Sequence, residues 1–256
     1  VAEAANGPSL ARGPRLDPIG EAILSVRDLH RDFGGVHALK GVNLDVARGS
    51  VTGLIGPNGS GKTTLFQVIS GMDRQATGSV VFDGEPILGR KPYEIYHGGL
   101  ARTFQLSRVF PKLTVLENLV VAAHRHDRGA RSRALELLER VRLQDYTGVL
   151  GSDLSYGQQK LIEFLRVLMS EPSLILLDEP AAGVNPTLRA TLWDMVRHLN
   201  GLGTTFIIIE HNMEVIADLC REVYVLSEGE VIAHGDFADI RRDERVLEAY
   251  FGKVAI

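Results

Sequence analysis

Nine consecutive residues, Gly56-Pro57-Asn58-Gly59-Ser60-Gly61-Lys62-Thr63-Thr64, restrict this chain more than any other stretch. They follow an apolar run, Ser50-Val51-Thr52-Gly53-Leu54-Ile55, that reads as a buried strand, and they precede a helical pattern from Thr64 to Ser70. Glycines between a strand and a helix let the backbone curl round an anion with its N–H groups inward, at the positive end of the helix. Lys62 adds a point charge at the offset a polyphosphate needs, and the Thr63 hydroxyl is a ligand for Mg2+. A glycine-rich turn before an ordinary helix accounts for the glycines but not for Lys62-Thr63. The spacing predicts a loop that holds the phosphates of a nucleoside triphosphate.

Composition narrows what surrounds that loop. A chain of 256 residues with 45% hydrophobic residues has enough apolar side chains for one large α/β domain or two smaller ones. A formal net charge of −4 argues against a nucleic-acid binder that works by neutralising phosphates. The longest apolar runs, Leu174-Ile175-Leu176-Leu177 and Phe206-Ile207-Ile208-Ile209, are strand-length and far below the roughly 18 residues a membrane-spanning helix needs. The single cysteine, Cys220, cannot make an internal disulfide and reads as a small apolar residue of a helix. With no leader-like opening, the expected compartment is a reducing cytosol.

Residues 1–22 have no apolar period and are expected to form an extension outside the fold. Two alternating strands follow, the first with Ile23, Val26 and Leu29 and the second with Val42, Leu44 and Val46, as in an antiparallel sheet with one buried face. In the connection Arg31 to Val36, Phe33 has two readings. It stacks on a base, a contact worth about 1 to 3 kcal/mol, or it is a core residue at a strand end. A strand from Gly78 to Phe82 should turn at Asp83-Gly84, and Leu100 to Gln105 should form another short strand ending in a polar residue. Thr114 and Glu117 have capping-box spacing, predicting a helix to about Ala123. Arg131 to Leu143 reads as an amphipathic helix with Leu135, Leu138 and Val141 inward, and His124 and His126 as surface residues.

Ser155 and Gln158 form a second capping box, in Leu154-Ser155-Tyr156-Gly157-Gln158-Gln159, and the helix they open offers another anion site at its exposed start. The run Leu174 to Leu177 reads as a strand buried on both faces that ends in Asp178-Glu179. An Asp there can hold Mg2+ directly or through water, and the Glu can take a proton from attacking water; alternatively the two acids cap the next element. Asn185-Pro186 predicts a helix start that continues to about Asn200, with Trp193 as a packing residue. After the buried strand from Thr204 to Ile209, His211 can reach a ligand at the carboxyl end of the sheet or merely begin a helix. Val223 to Leu226 and Glu230 to Ala233 read as a hairpin, and a last helix is expected from Asp243 through Tyr250.

The phosphate loop, Gln105, the Leu154–Gln159 segment, the strand ending in Asp178-Glu179 and His211 occur in an order and at spacings similar to those of the ATP-binding cassette ATPases. The resemblance runs from about residue 23 to 252. It implies an α/β P-loop NTPase core with a mixed sheet, an N-terminal antiparallel β-subdomain and an inserted α-helical subdomain at about residues 106–170. It also implies roles: Phe33 on adenine; Gly56, Pro57, Asn58, Gly59, Ser60, Gly61, Lys62, Thr63 and Thr64 on the phosphates of ATP; Thr63, Gln105 and Asp178 at Mg2+; Glu179 as general base; and His211 as γ-phosphate sensor. Ser155, Gly157 and Gln158 would meet the nucleotide of a second cassette facing the first, so one copy alone should be a poor ATPase.

Tyr156 in place of the usual first glycine of that segment, Asn185 in place of an Asp, and the ending Val246 to Gly252 resemble the cassettes that power branched-chain amino acid importers. That likeness implies permease subunits as partners, reached through residues 105–118 with Phe110, Pro111 and Leu113, and a solute-binding protein acting indirectly. The second cassette would be identical or different, nucleic acid would not be a partner, and the protein would sit at the cytoplasmic face of the membrane. A lipid or lipopolysaccharide export cassette shares much of the region after Asp178. Soluble repair and translation cassettes carry a long coiled coil or two cassettes in one chain, and neither occurs here.

Overall fold

The structure, a computed structural model, describes residues 21–103, 109–123 and 127–251. Gln105, His124 and His126, and all but the last two residues of the expected 1–22 extension, lie outside the described residues. In chain order the first half holds β1 (Ala22–Phe33), β2 (Val36–Ala47), β3 (Val51–Ile55), α1 (Lys62–Ile69), β4 (Thr77–Phe82), β5 (Glu85–Pro86), α2 (Pro92–His97), β6 (Leu100–Arg102) and α3 (Val115–Val120). The second half holds α4 (Ala130–Arg140), α5 (Tyr156–Leu168), β7 (Leu174–Asp178), α6 (Pro186–Gly201), β8 (Thr205–Ile209), α7 (Met213–Leu219), β9 (Glu222–Ser227), β10 (Glu230–Gly235), α8 (Phe237–Ile240) and α9 (Glu244–Phe251).

Two sheets organise the fold. One is antiparallel in the order β2-β1-β4-β5; the other is mixed, β10-β9-β3-β8-β7-β6, with parallel pairing from β9 through β6 and β10 antiparallel at the edge. β3, β7 and β8 are buried at every residue, which is why they read as unbroken apolar runs. One core fills the space between the antiparallel sheet and the mixed sheet, with Leu65, Phe66 and Ile69 of α1 inside it. A second core packs α3 to α7 on the other face, through residues such as Leu119, Leu138, Phe164, Leu165, Val196 and Phe206.

Several details depart from expectation. The first hairpin is tighter than the pattern suggested: β1 runs on to Phe33 and β2 begins at Val36, leaving Gly34-Gly35 (φ 51° and 96°) as a two-residue turn whose twist matches the strands. In α4 the inward positions are Ala130, Ala134 and Leu138, while Leu135 is 40% exposed. The helical period of 3.6 aligns 134 with 138, and the larger residue at 135 falls off that face. Cys220 follows α7 instead of lying inside a helix, and burial pushes its thiol up to about 12, so it is inert at neutral pH. The short helices α2 and α8 have no counterpart in the sequence reading.

The capping boxes at Thr114 and Ser155 form as expected, each with reciprocal side-chain and backbone bonds. α3 is further tied to the preceding segment by Asn118, which is fully buried. Its Oδ1 accepts from Phe110 N at 2.8 Å and its Nδ2 donates to the carbonyls of Phe110, Leu113 and Thr114 at 3.0–3.1 Å. Asn118→Ala should therefore cost about 2 to 4 kcal/mol, because it strands several buried polar groups at once; urea unfolding with an unchanged slope would measure it.

Candidate active site

The loop after β3 is shaped by backbone contacts that exclude side chains. A Cβ on Gly56 (φ 148°) would stand 2.0 Å from the Leu226 carbonyl oxygen, and one on Gly61 (φ 106°) would stand 2.6 Å from that of Ala38. Only glycine fits either position. Side-chain oxygens of Thr114, Ser155, Asn185, Asn212 and Asp236 cap α3, α5, α6, α7 and α8, whereas Gly61 brings no side chain to the start of α1. The first N–H groups of α1 therefore remain for an anion, and the loop's chemistry fits a phosphate chain.

Lys62 is 7% exposed, and its Nζ donates to the carbonyls of Gly56 and Pro57, both at 2.8 Å, and to Ser60 Oγ at 3.3 Å. Burial lowers its pKa, and the charges of Glu179 and Asp178 oppose that shift. Residues 58–64, residues 36–38 and Lys40 of β2, Glu179 and Glu228 line an open cleft of about 610 Å3. The phosphate loop and Glu179 thus face one space.

The acids come from the carboxyl end of the parallel sheet. The register pairs Asp178 with Ile209, so the segments after β7 and β8 leave the sheet at one level. Asp178 is 2% exposed, and its Oδ2 accepts from Arg102 Nη2 at 2.8 Å in a buried ion pair. Glu179 adopts φ 47°, uncommon for a side chain of this kind, and its N–H donates to Ile209 O at 3.0 Å. Its Oε1 lies 2.8 Å from His211 Nε2. The reading of Asp178-Glu179 as mere caps does not fit: α6 is capped by Asn185.

Phe33 is 44% exposed, which rules out the core reading, and the Arg31 guanidinium lies 3.9 Å from its ring centroid. Ser155, Gly157 and Gln158 are not among the residues of the phosphate-loop cleft; they form the start of α5, where Gln158 Oε1 accepts from both Ser155 N and Ser155 Oγ at 2.9 Å. Sequence reasoning missed three charged groups: Arg102, Lys160 and Glu210. Lys160, buried in α5, has its pKa lowered by burial against the opposing charges of Glu163, Asp178 and Glu179, so the field of the acids reaches that helix. A charge inside a short parallel strand, as at Arg102, was the available signal.

The donor set fits Mg2+. Among the described residues no cluster of three or more His, Cys, Asp or Glu side chains could hold a metal. One carboxylate and one hydroxyl near a phosphate loop is the sparse oxygen set that Mg2+ completes with substrate phosphates and water. No described helix is long and apolar enough to cross a membrane.

Comparison with known proteins identifies the family. Residues 39–182 match the ABC transporter family, and residues 230–256 match a profile described as branched-chain amino acid ATP-binding cassette transporter. The high-affinity branched-chain amino acid transport ATP-binding protein BraF of Pseudomonas aeruginosa is 36% identical over 250 residues, covering 90% of this chain and 98% of that protein. An ATP-binding cassette of an ABC transporter, solved in its ADP conformation, superposes with a TM-score of 0.81 at 35% identity, over 91% of this chain and 100% of that one. A dimeric cassette in a post-hydrolysis state bound to ADP and Pi superposes with a TM-score of 0.74 at 25% identity, over 84% of this chain and 98% of that one. With that match over residues 39–182 and that relative, this chain is a member of the ABC transporter family, one of its ATP-binding cassettes.

Proposed function

We propose that this chain hydrolyses ATP to drive an importer of branched-chain or related amino acids. The observation that carries the hydrolytic part is the contact of Glu179 with His211 at 2.8 Å, on the rim of the cleft that the phosphate loop lines. The amino acid assignment is supported by the named relatives and by the match of residues 230–256.

In this reading the N–H groups of residues 58–64 and Lys62 bind the phosphates, and Phe33, with one face on Arg31, offers a stacking surface to the adenine. Thr63, Asp178 and Gln105 would hold Mg2+, which when bound neutralises charge on the transferring phosphoryl group. Glu179 takes a proton from water as the water oxygen attacks the γ-phosphorus. The bond to the β-phosphate oxygen breaks, giving ADP and phosphate. His211 fixes the orientation of Glu179 and senses the γ-phosphate.

Ser155 and Tyr156 at the start of α5 are exposed, Gly157 is buried and Gln158 half-buried, and none of them lines the cleft, which supports a second cassette, identical or different, meeting the nucleotide of the first at Ser155, Gly157 and Gln158. ATP that binds the closed pair better than the open one shifts the population to it, and phosphate release reverses the shift. Phe110, 46% exposed with the Arg166 guanidinium 4.6 Å from its ring centroid, and its neighbours Pro111 and Leu113 face the permease subunits. A solute-binding protein acts through those permeases, at the cytoplasmic face of the membrane where the cassette docks.

Glu179→Gln should keep ATP affinity and lose turnover by roughly 100-fold or more, as read by phosphate release; wild-type turnover would remove Glu179 from its role. With Mg-ATP the same variant should elute as a dimer, and a strictly monomeric protein, with and without permeases, would refute the paired site. Gly56→Ala should abolish nucleotide binding while leaving the far-UV spectrum folded, because the new methyl group must displace the main chain at Leu226. Fluorescent-nucleotide titration checks it.

A further inference from the structure

Behind the Glu179–His211 contact lies a smaller cavity of about 370 Å3, lined by residues 181–183, Arg189, Trp193 and Glu210 together with Glu179 and His211 themselves. Six buried side-chain N or O atoms among the described residues have no hydrogen-bond partner, and three of them belong to this lining: Arg189 Nε, Trp193 Nε1 and Glu210 Oε1. Glu210 supplies the one acceptor of the six. A glutamate that is 9% exposed, directly after five fully buried residues of β8, is costly to keep where an apolar side chain would pack.

Its surroundings show what it does. Glu210 Oε2 accepts from the His211 N–H at 3.1 Å. Burial raises the carboxyl pKa, while the N–H groups of His211, Asn212 and Ala181 favour the charged form and Glu179 opposes it. The carboxylate is thus bonded to the start of the His211 segment through Oε2, and Glu210 lines the same cavity as residues 181–183, which follow Glu179. These are the stretches that must stay in register for Glu179 Oε1 and His211 Nε2 to meet.

We propose that Glu210 is a positioning residue for ATP hydrolysis, whose buried carboxylate holds the His211 N–H beside the cavity shared with residues 181–183 and so keeps the Glu179–His211 pair in place. The inference rests on the hydrolytic reading of that pair. It distinguishes Glu210 from a residue that only stabilises the fold: replacing the acid removes a charge that burial penalises, so stability should not fall, whereas catalysis should.

The test uses the full chain and ATP hydrolysis. Glu210→Gln should lower kcat about 10-fold or more, the scale on which small misplacements act. KM for ATP should stay within about twofold, and Tm at pH 8 should be no lower than that of the parent. In a His211→Ala background, read by single-turnover hydrolysis, the same substitution should change the rate by less than about twofold, since the pair it positions is gone. A wild-type kcat in Glu210→Gln, or an equal loss in both backgrounds, overturns the proposal. If Glu210→Gln is poorly folded, Glu210→Asp serves instead, with a smaller kcat loss at unchanged KM expected and a rise in KM alone overturning it. Glu179→Gln run alongside separates the two levels: full turnover in that variant defeats the hydrolytic reading, whereas an inactive Glu179→Gln beside a fully active Glu210→Gln defeats only the role of Glu210.

Discussion

The two sheets meet at the phosphate loop, and they meet through backbone. Lys40 N in β2 donates to Gly229 O at 2.8 Å, and Gly229 N donates to Ser60 O at 3.0 Å. The Ala38 carbonyl lies against both Gly61 and Gly229, where added Cβ atoms would fall 2.6 and 2.9 Å away, and Leu226 O closes on Gly56. Side chains can change rotamer to relieve a crowded contact, but main chain cannot do so without moving its strand. The loop's shape is therefore set by the relative placement of β2, β3 and β9. The antiparallel sheet, which contributes residues 36–38 and Lys40 to the cleft, is locked to the mixed sheet at the loop of residues 56–61.

Round that junction the protein buries charge that an ordinary core would exclude. Arg102 and Asp178 are 8% and 3% exposed as side chains, and the pair sits where β6 and β7 run parallel. A buried ion pair contributes little net stability but leaves a large penalty if one partner is removed. Lys62 and Lys160 lose solvation in the same region, and Asp178 and Glu179 offset it for both. The acids thus do two things at once: they compensate buried ammonium groups, and they set a strongly polar field at the strand ends. Glu179 adds backbone strain at φ 47°, of about 1 to 3 kcal/mol for a non-glycine residue, held by its N–H bond to Ile209 O.

Much of this was legible in the sequence wherever the controlling chemistry was local. β3, β7 and β8 read as buried because both of their faces are covered and no polar alternation interrupts them. The caps at Thr114, Ser155 and Asn185 read correctly because a side chain bonds an N–H three residues away whatever the rest of the chain does. What failed to show depended on distant partners. Arg102 finds Asp178 across 76 positions, through the register of two strands, and nothing within either segment encodes the match. Glu210 carries no reading of its own in the sequence, and its surroundings include residues 181–183, which only the fold brings into the same cavity. Leu135 faces outward because α4 buries Ala130, Ala134 and Leu138, a face whose angle is set by the helices packed on it, and Phe33 has two readings because a strand-end aromatic carries no sign of which way it faces.

The start of α5 is linked to Glu179 inside the same chain. Ala182 N donates to Glu179 O at 3.1 Å and Val184 N to Ala181 O at 3.2 Å, so residues 179–184 form successive tight turns. The Tyr156 ring lies over Gly183, where a Cβ would be 2.9 Å from its Cε1, and Gly157 lies against Leu188 and Val184. Asn185 then caps α6, and Arg189 Nη2 returns to Val184 O at 3.1 Å. Tyr156 in place of a smaller residue thus acts inside the chain, covering the turn that follows Glu179. The Ser155–Gln158 cap, with its polar groups already satisfying one another, remains at the surface as a rigid edge. The turn after Glu179 and the start of α5 are thus in direct contact through Tyr156 and Gly183 and through Gly157 and Val184, so the shape of one constrains the other.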